Sequence, residues 1–208
     1  MDLTLELAQL ASQIRSCQKC SLAGNPCVLW RGSVRADIMV IGEAPGLVEA
    51  QQGLPWVGPA GKLLDKAATA AGLDTNRDCF ITNIVKCRPT SSTPGRQNDT
   101  PTREIIGACK PWLLQEIEIL RPRAIVCMGK SAAIGIEGIK ASVPMRAAAQ
   151  ETYTFFLGDK TEIPLFVTYH TAAILHMAGG QSTRDMKQAI LNTLRRAKAV
   201  EGLRVQGA

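Results

Sequence analysis

The sequence predicts an α/β fold of three layers, with a mainly parallel central sheet flanked by helices. Three observations carry that expectation. Short, largely β-branched runs at 37–41, 80–85 and 124–128 have the continuous apolar character of strands buried on both faces. Helical periodicity fills the intervals between them, the alternation that produces right-handed crossovers and a parallel sheet. The 208 residues show no internal repeat and no dividing linker, so at roughly 150 residues per domain a single domain over 1–208 is expected.

The elements follow in order. Leu3, Leu5, Leu7, Leu10, Ala11 and Ile14 form an apolar stripe, an opening helix that runs into Cys17-Gln18-Lys19-Cys20. Turn residues at 23–26 precede the first strand, which stops at Gly42. Pro59 just inside Gly58, and Gly72 beyond Ala71, bracket a helix with the proline-first, glycine-last signature. The strand at 80–85 leads into a Pro/Ser/Thr-rich loop at 88–101 and a helix over 102–120, with a kink or break expected before Pro111. After the strand at 124–128 come Gly129 and a short helix from Ser131. Strands at 153–157 and 163–169 flank the turn Gly158-Asp159-Lys160, and 183–200 is an amphipathic closing helix. Ligands of such sheets bind beyond the carboxyl ends of the strands, which directs attention to 42–46, Asn83, Gly129 and His170.

With 46% hydrophobic and 20% charged residues the chain is ordinary globular material, which excludes disordered and collagen-like classes. No apolar run approaches the ~20 residues of a membrane span, and the N-terminus lacks a basic signal-peptide region, so a cytoplasmic, nucleoid-associated protein is expected. Lys and Arg total 24 against 18 Asp and Glu, a net +6 that favours an anionic partner such as nucleic acid. The basic residues are scattered, with a mild excess at Arg184, Lys187, Arg195, Arg196, Lys198 and Arg204 that reads equally as a solvated helix face.

Seven cysteines, an odd number without an export signal, argue against a disulfide framework. Cys17-x2-Cys20 together with Cys87 and Cys109 can close a tetrahedral thiolate site for zinc or an iron–sulfur cluster, and burial of one pair is the alternative. Cys27 and Cys79 are spare, and Cys127 reads as a small hydrophobe in a strand. The turn Gly42-Glu43-Ala44-Pro45-Gly46 can bring backbone N–H groups close to a ligand. It is not a dinucleotide fingerprint. Gly58 to Leu63 is not a phosphate loop either, because Trp56 stands where its first glycine belongs and Leu63 replaces the metal-binding hydroxyl. Glu43 and Glu49 supply carboxylates, Trp56 offers a stacking or packing indole, and of two histidines His170 rather than His176 sits at a strand end.

Read together, Gly42-Glu43-Ala44-Pro45-Gly46, Pro55-Trp56-Val57-Gly58-Pro59-Ala60-Gly61-Lys62-Leu63-Leu64, Thr82-Asn83-Ile84-Val85-Lys86-Cys87-Arg88-Pro89 and His170 to Leu175 resemble, in order, the motifs of the family 4 uracil-DNA glycosylases. The resemblance implies hydrolysis of the N-glycosidic bond of a flipped-out uracil in DNA, the first step of base excision repair. Its partner is uracil-containing DNA, single- or double-stranded, and a monomer with contacts to other repair proteins is expected. Carried over by position, Trp56 stacks on the base, and Asn83 reads uracil O4 and N3–H. His170 with the backbone of Gly42 to Ala44 stabilises charge on O2. Glu43 positions water, with Glu49 as the alternative or as a block to a thymine methyl. Ile174 and Leu175 are candidates for an apolar wedge, with core packing equally open. Cys17, Cys20, Cys87 and Cys109 fall on the positions that hold a [4Fe–4S] cluster of structural role. Three departures stand out: Trp56 in place of Phe, Thr171 in place of the Pro after the histidine, which loosens that turn, and a longer loop at 90–100 whose Arg96 could meet phosphate. A glycosylase for another deaminated base, or an iron–sulfur DNA-binding module without activity, are the competing readings.

Overall fold

The computed structural model describes residues 2–94, 98–175, 177 and 179–200; Arg96, His176 and Arg204 lie outside them. In chain order the elements are α1 (Leu3–Arg15), β1 (Arg31–Gly32), β2 (Ile38–Gly42), α2 (Leu47–Gln52), α3 (Pro59–Ala70), β3 (Cys79–Asn83), α4 (Arg103–Leu120), β4 (Ala124–Met128), α5 (Lys130–Gly135), α6 (Met145–Ala148), β5 (Tyr153–Phe156), β6 (Glu162–Thr168), α7 (Thr171–Leu175) and α8 (Gln181–Lys198). The strands form one sheet in the order β1-β3-β2-β4-β6-β5. Its four central strands are parallel and both edges antiparallel.

The two-residue period of a strand sorts the core. On β2, Met39 and Ile41 pack with Leu7, Leu113 and Ile117 of α1 and α4, while Ile38 and Val40 pack with Leu64 and Leu194 of α3 and α8. All of β2, β3 and β4 is buried, as strands covered on both faces must be. The expected three-layer architecture is therefore present.

Two boundaries differ from expectation in ways that shape the site. β3 ends at Asn83, not at residue 85: Ile84 N–H and Val85 N–H instead donate to the carbonyls of Gly42 and Glu43, so the chain follows the turn after β2. Helix α4 runs unbroken across Pro111, so the expected break is absent. Its buried face (Cys109, Trp112, Leu113, Ile117 and Leu120) supplies the packing that outweighs the ~3 kcal/mol an internal proline costs. Short elements β1, α2, α6 and α7 carry too little periodicity to be read from sequence.

A buried ion pair fixes the exit from β3. Lys86 Nζ lies 2.7 Å from Glu116 Oε1 and donates to Thr82 Oγ1 at 2.7 Å and to the Asn83 carbonyl at 2.8 Å, with both charged side chains almost fully buried. Glu116→Leu leaves the ammonium buried without its counter-ion, and a loss of about 3–5 kcal/mol is expected in urea unfolding. The K86M/E116L double variant is expected to recover most of that loss; equal instability of the double variant would contradict the pair as the cause.

Candidate active site

The register of the parallel strands aligns their carboxyl ends. Gly42 pairs with Asn83 and Met128 with Thr168, so the four segments that follow β2, β3, β4 and β6 meet at one rim. There they line a cavity of about 430 Å³ that contains Glu43, Ala44, Gly46, Glu49, Trp56, Ala60, Asn83, Asn98, Met128, Gly129, Lys130, His170, Ala172 and Ala173. Of the residues singled out from sequence, Glu43, Ala44, Glu49, Trp56, Asn83 and His170 converge here.

Gly42 does not line the cavity. It sits behind it, where a Cβ would lie 2.4 Å from both Asn83 Oδ1 and Trp56 Cζ2. Glycine is required because the amide and the indole fill the space that any side chain would take. Trp56 is 4% exposed, and its Nε1–H donates to Asn83 Oδ1 at 3.1 Å. Its ring lies 4.7 Å from the His170 ring, tilted by 31°.

The imidazole is set by its neighbours. Nδ1 of His170 accepts from the Ala172 N–H at 3.1 Å, so the neutral ring carries its proton on Nε2 and offers a donor. Gly129, with φ +94°, lets β4 pass beneath the ring, since a Cβ there would lie 3.2 Å from His170 Cβ. Burial pushes the His170 pKa down from 6.5 to about 4, against an opposing pull from the Glu49 carboxylate. Thr171 is fully buried and its Oγ1 donates to the Ala60 carbonyl at 2.8 Å, tying α7 to α3. The loosening expected from losing a proline is thus corrected: a hydrogen bond restrains the turn instead.

The two carboxylates differ. Glu49 accepts from Gly58 N–H at 2.7 Å at the start of α3, whereas Glu43 makes no side-chain hydrogen bond or ion pair among the described residues. Ile174 is 6% exposed in the core with Leu64 and Ile190, so it is not a wedge; Leu175, next to it, is 45% exposed. Asn98 and Lys130 were missed from sequence. Asn98 reaches the cavity because Thr90 and Asn98 pair across the long loop and Arg88 Nε donates to Asn98 Oδ1 at 2.8 Å. Lys130 directly follows the Gly129 strand end, the signal that would have found it.

A second, smaller cavity gathers Cys17, Cys20, Cys87 and Cys109 with Ile14, Trp112 and Lys86. Trp112 Nε1–H donates to Cys17 Sγ at 3.4 Å and Lys86 N–H to Cys109 Sγ at 3.3 Å. Four thiols from three separate segments with N–H groups aimed at sulfur fit an iron–sulfur cluster, whose sulfurs such hydrogen bonds stabilise. Among the described residues no three such groups converge on one metal-ion position. Burial pushes the Cys109 thiol up to about 11, so cluster assembly there must expel a proton. Cys27, spare in the sequence, pairs with Cys87 in an isolated antiparallel bridge.

Comparison with known proteins decides the family. Residues 29–195 match the model of the uracil DNA glycosylase superfamily. The chain belongs to that superfamily. It is similar to the type-4 uracil-DNA glycosylase of Pyrobaculum aerophilum, 36% identical with 88% of this chain and 92% of the relative covered. Type-4 uracil-DNA glycosylases of Saccharolobus solfataricus (36%, covering 80% and 76%) and Thermotoga maritima (32%, covering 93% and 94%) are comparably similar.

For His170 the low folded value means that the unfolded chain takes up a proton between pH 6.5 and about 4 that the folded chain refuses. Its contribution to stability is full above pH 6.5 and is lost as pH falls through that window. An NMR titration of the His170 Cε1–H, assigned with His170→Gln, is expected to show a midpoint near pH 4; a midpoint near 6.5 would contradict a buried neutral ring.

Proposed function

We propose that this protein is a type-4 uracil-DNA glycosylase that hydrolyses the bond between uracil and deoxyribose and leaves an abasic site in DNA. The observation that carries the reading is the meeting of Asn83, Trp56, His170 and Glu43 around one cavity at the sheet's carboxyl rim. A base stacked in a duplex cannot reach such a recess, so the nucleotide must flip out to enter it.

Inside, the Asn83 amide donates to uracil O4 through Nδ2 and accepts from N3–H through Oδ1, a pattern cytosine cannot meet. The Trp56 indole forms one wall of the cavity and offers its face to the base. As the C1′–N1 bond breaks, its electron pair passes to the uracil ring and charge gathers on O2. His170 Nε2–H donates to that oxygen, and as a neutral donor it needs no protonation at pH 7. The sugar is left as an oxocarbenium ion. Glu43, whose carboxylate has no partner among the described residues, holds the water that adds to C1′ and takes its proton, and the departing uracil anion takes up a proton in turn. The tie of Glu49 to the Gly58 N–H supports reading it as a wall residue beside the base rather than as the water's base. Leu175 is the exposed apolar side chain available to fill the gap in the stack.

Cys17, Cys20, Cys87 and Cys109 would hold a [4Fe–4S] cluster. When bound it supplies cross-linking, joining the end of α1, the segment after β3 and α4. Protein purified without air is expected to be brown and to contain about four iron atoms per chain; Cys109→Ser is expected to lose the colour and the order of the Cys17–Cys20 segment. A colourless, zinc-loaded protein would contradict the assignment.

Release of free uracil from an oligonucleotide carrying one uracil tests the activity. Wild type is expected to release it, and Asn83→Ala and His170→Ala to be slower by about 10²–10³-fold each. A folded, iron-loaded wild type that releases no uracil would contradict the proposed function.

A further inference from the structure

Trp56 does more in this structure than face the cavity. Its backbone lies in the left-handed region, φ 59°, a conformation an aromatic residue holds only when its surroundings impose it. Arg31 imposes it. The guanidinium, 10% exposed, donates from Nε to the Pro55 carbonyl at 3.1 Å and from Nη2 to the Trp56 carbonyl at 3.4 Å. It is itself anchored by Asp65 Oδ1 at 2.6 Å, which also accepts from Thr75 Oγ1 at 2.7 Å. On the other side Gly61 removes any obstruction, since a Cβ there would lie 1.8 Å from the Trp56 carbonyl oxygen. The outcome is an indole edge directed at Asn83, with Nε1 3.1 Å from Oδ1.

An indole N–H can only donate, so the atom facing it must be the amide oxygen. Turning the amide over would set its NH₂ group against the indole N–H, two buried donors face to face, and would leave the indole only its longer contact, 3.4 Å, to the Thr82 carbonyl. That contact offsets part of the cost, and the reversed arrangement is disfavoured by about fivefold or more. The two amide orientations have opposite meanings for a flipped base. With Oδ1 held by the indole, Nδ2 is left to donate to a carbonyl and the second lone pair of Oδ1 to accept from an N–H, the edge of uracil. The reversed amide matches the amine and ring nitrogen of cytosine.

We infer that Trp56 is a positioning residue for base discrimination: its indole N–H, held by Arg31, locks the Asn83 amide in the orientation that reads uracil and rejects cytosine. The inference rests on the proposed reading of uracil by Asn83 and adds what fixes that reading. Trp56→Phe keeps the ring and removes the donor, and Arg31→Met releases the backbone that aims it.

The test measures release of uracil and of cytosine from oligonucleotides with enzyme in excess, thermal midpoints, and the ¹⁵N–¹H resonances of the Asn83 side-chain amide, assigned with Asn83→Asp. An amide free to adopt both orientations is correct half the time, so Trp56→Phe should slow uracil release only about twofold. Its preference for uracil over cytosine should fall at least about fivefold, and the Asn83 amide resonances should move. Arg31→Met should shift the same resonances and lower the same ratio. Cytosine release by Trp56→Phe no greater than by wild type, or unmoved Asn83 resonances, would overturn the lock while leaving the glycosylase reading intact. A wild type that releases no uracil would overturn both, so the two failures are distinct.

Discussion

Parallel pairing of β2 with β3 sets Gly42 opposite Asn83, and the rest of the site is arranged around that step of register. Side chains alternate along a strand, so a slip of one residue would turn Asn83 to the opposite face and bring Thr82 in its place. The register is held from both faces. On one, Met39, Ile41 and Phe80 are packed under α1 and α4; on the other, Ile38, Val40 and Ile81 lie under α3 and α8. At the strand end, the Lys86–Glu116 pair grips Thr82 Oγ1 and the Asn83 carbonyl from behind. The amide that faces the cavity is thus mounted on a strand whose other polar atoms are already engaged.

The same short stretch connects the two cavities. Asn83 lines one, Cys87 lines the other, and Lys86 between them touches the framework of both through the Asn83 carbonyl and the Cys109 sulfur. Only three residues lie between Asn83 and Cys87, so in the proposed reading the amide that reads the base and a ligand of the cluster share one short segment. Holding the proposed cluster, the four thiols would tie the end of α1 and the body of α4 to the strand that carries the amide, and none of them lines the cavity at the carboxyl rim. Burial at Cys109 and the N–H donors to sulfur suit a fixed, structural group.

Much of this was legible in the sequence because the informative residues lie at strand ends or in distinctive pairs. Asn83 lies in, and His170 follows, an apolar run that reads as a buried strand, and the Cys-x2-Cys spacing stands out in any chain without disulfides. What the sequence withheld depends on contacts between distant segments. Arg31 looks like any surface arginine until β1 pairs with β3 and brings it beside Pro55, Trp56 and Asp65. Thr171 reads as the loss of a rigid residue, and only the fold shows its hydroxyl bound to the Ala60 carbonyl. Ile174 and Leu175 are adjacent and chemically alike, yet the roughly 100° step between neighbours on a helix sends one into the core and the other to solvent, a distinction that composition does not carry. Pro111 is the converse: local propensity argued for a break, and the packing of α4 prevailed.

The central claim is that the cavity at the carboxyl rim holds a flipped uracil whose edge is read by Asn83. A crystal structure of the iron-loaded protein with free uracil tests it most directly. The account predicts the base against the Trp56 indole, with O4 and N3 within hydrogen-bond distance of the Asn83 amide and O2 near His170 Nε2. Uracil bound elsewhere, or seated with its O4 and N3 edge turned away from Asn83, would contradict it.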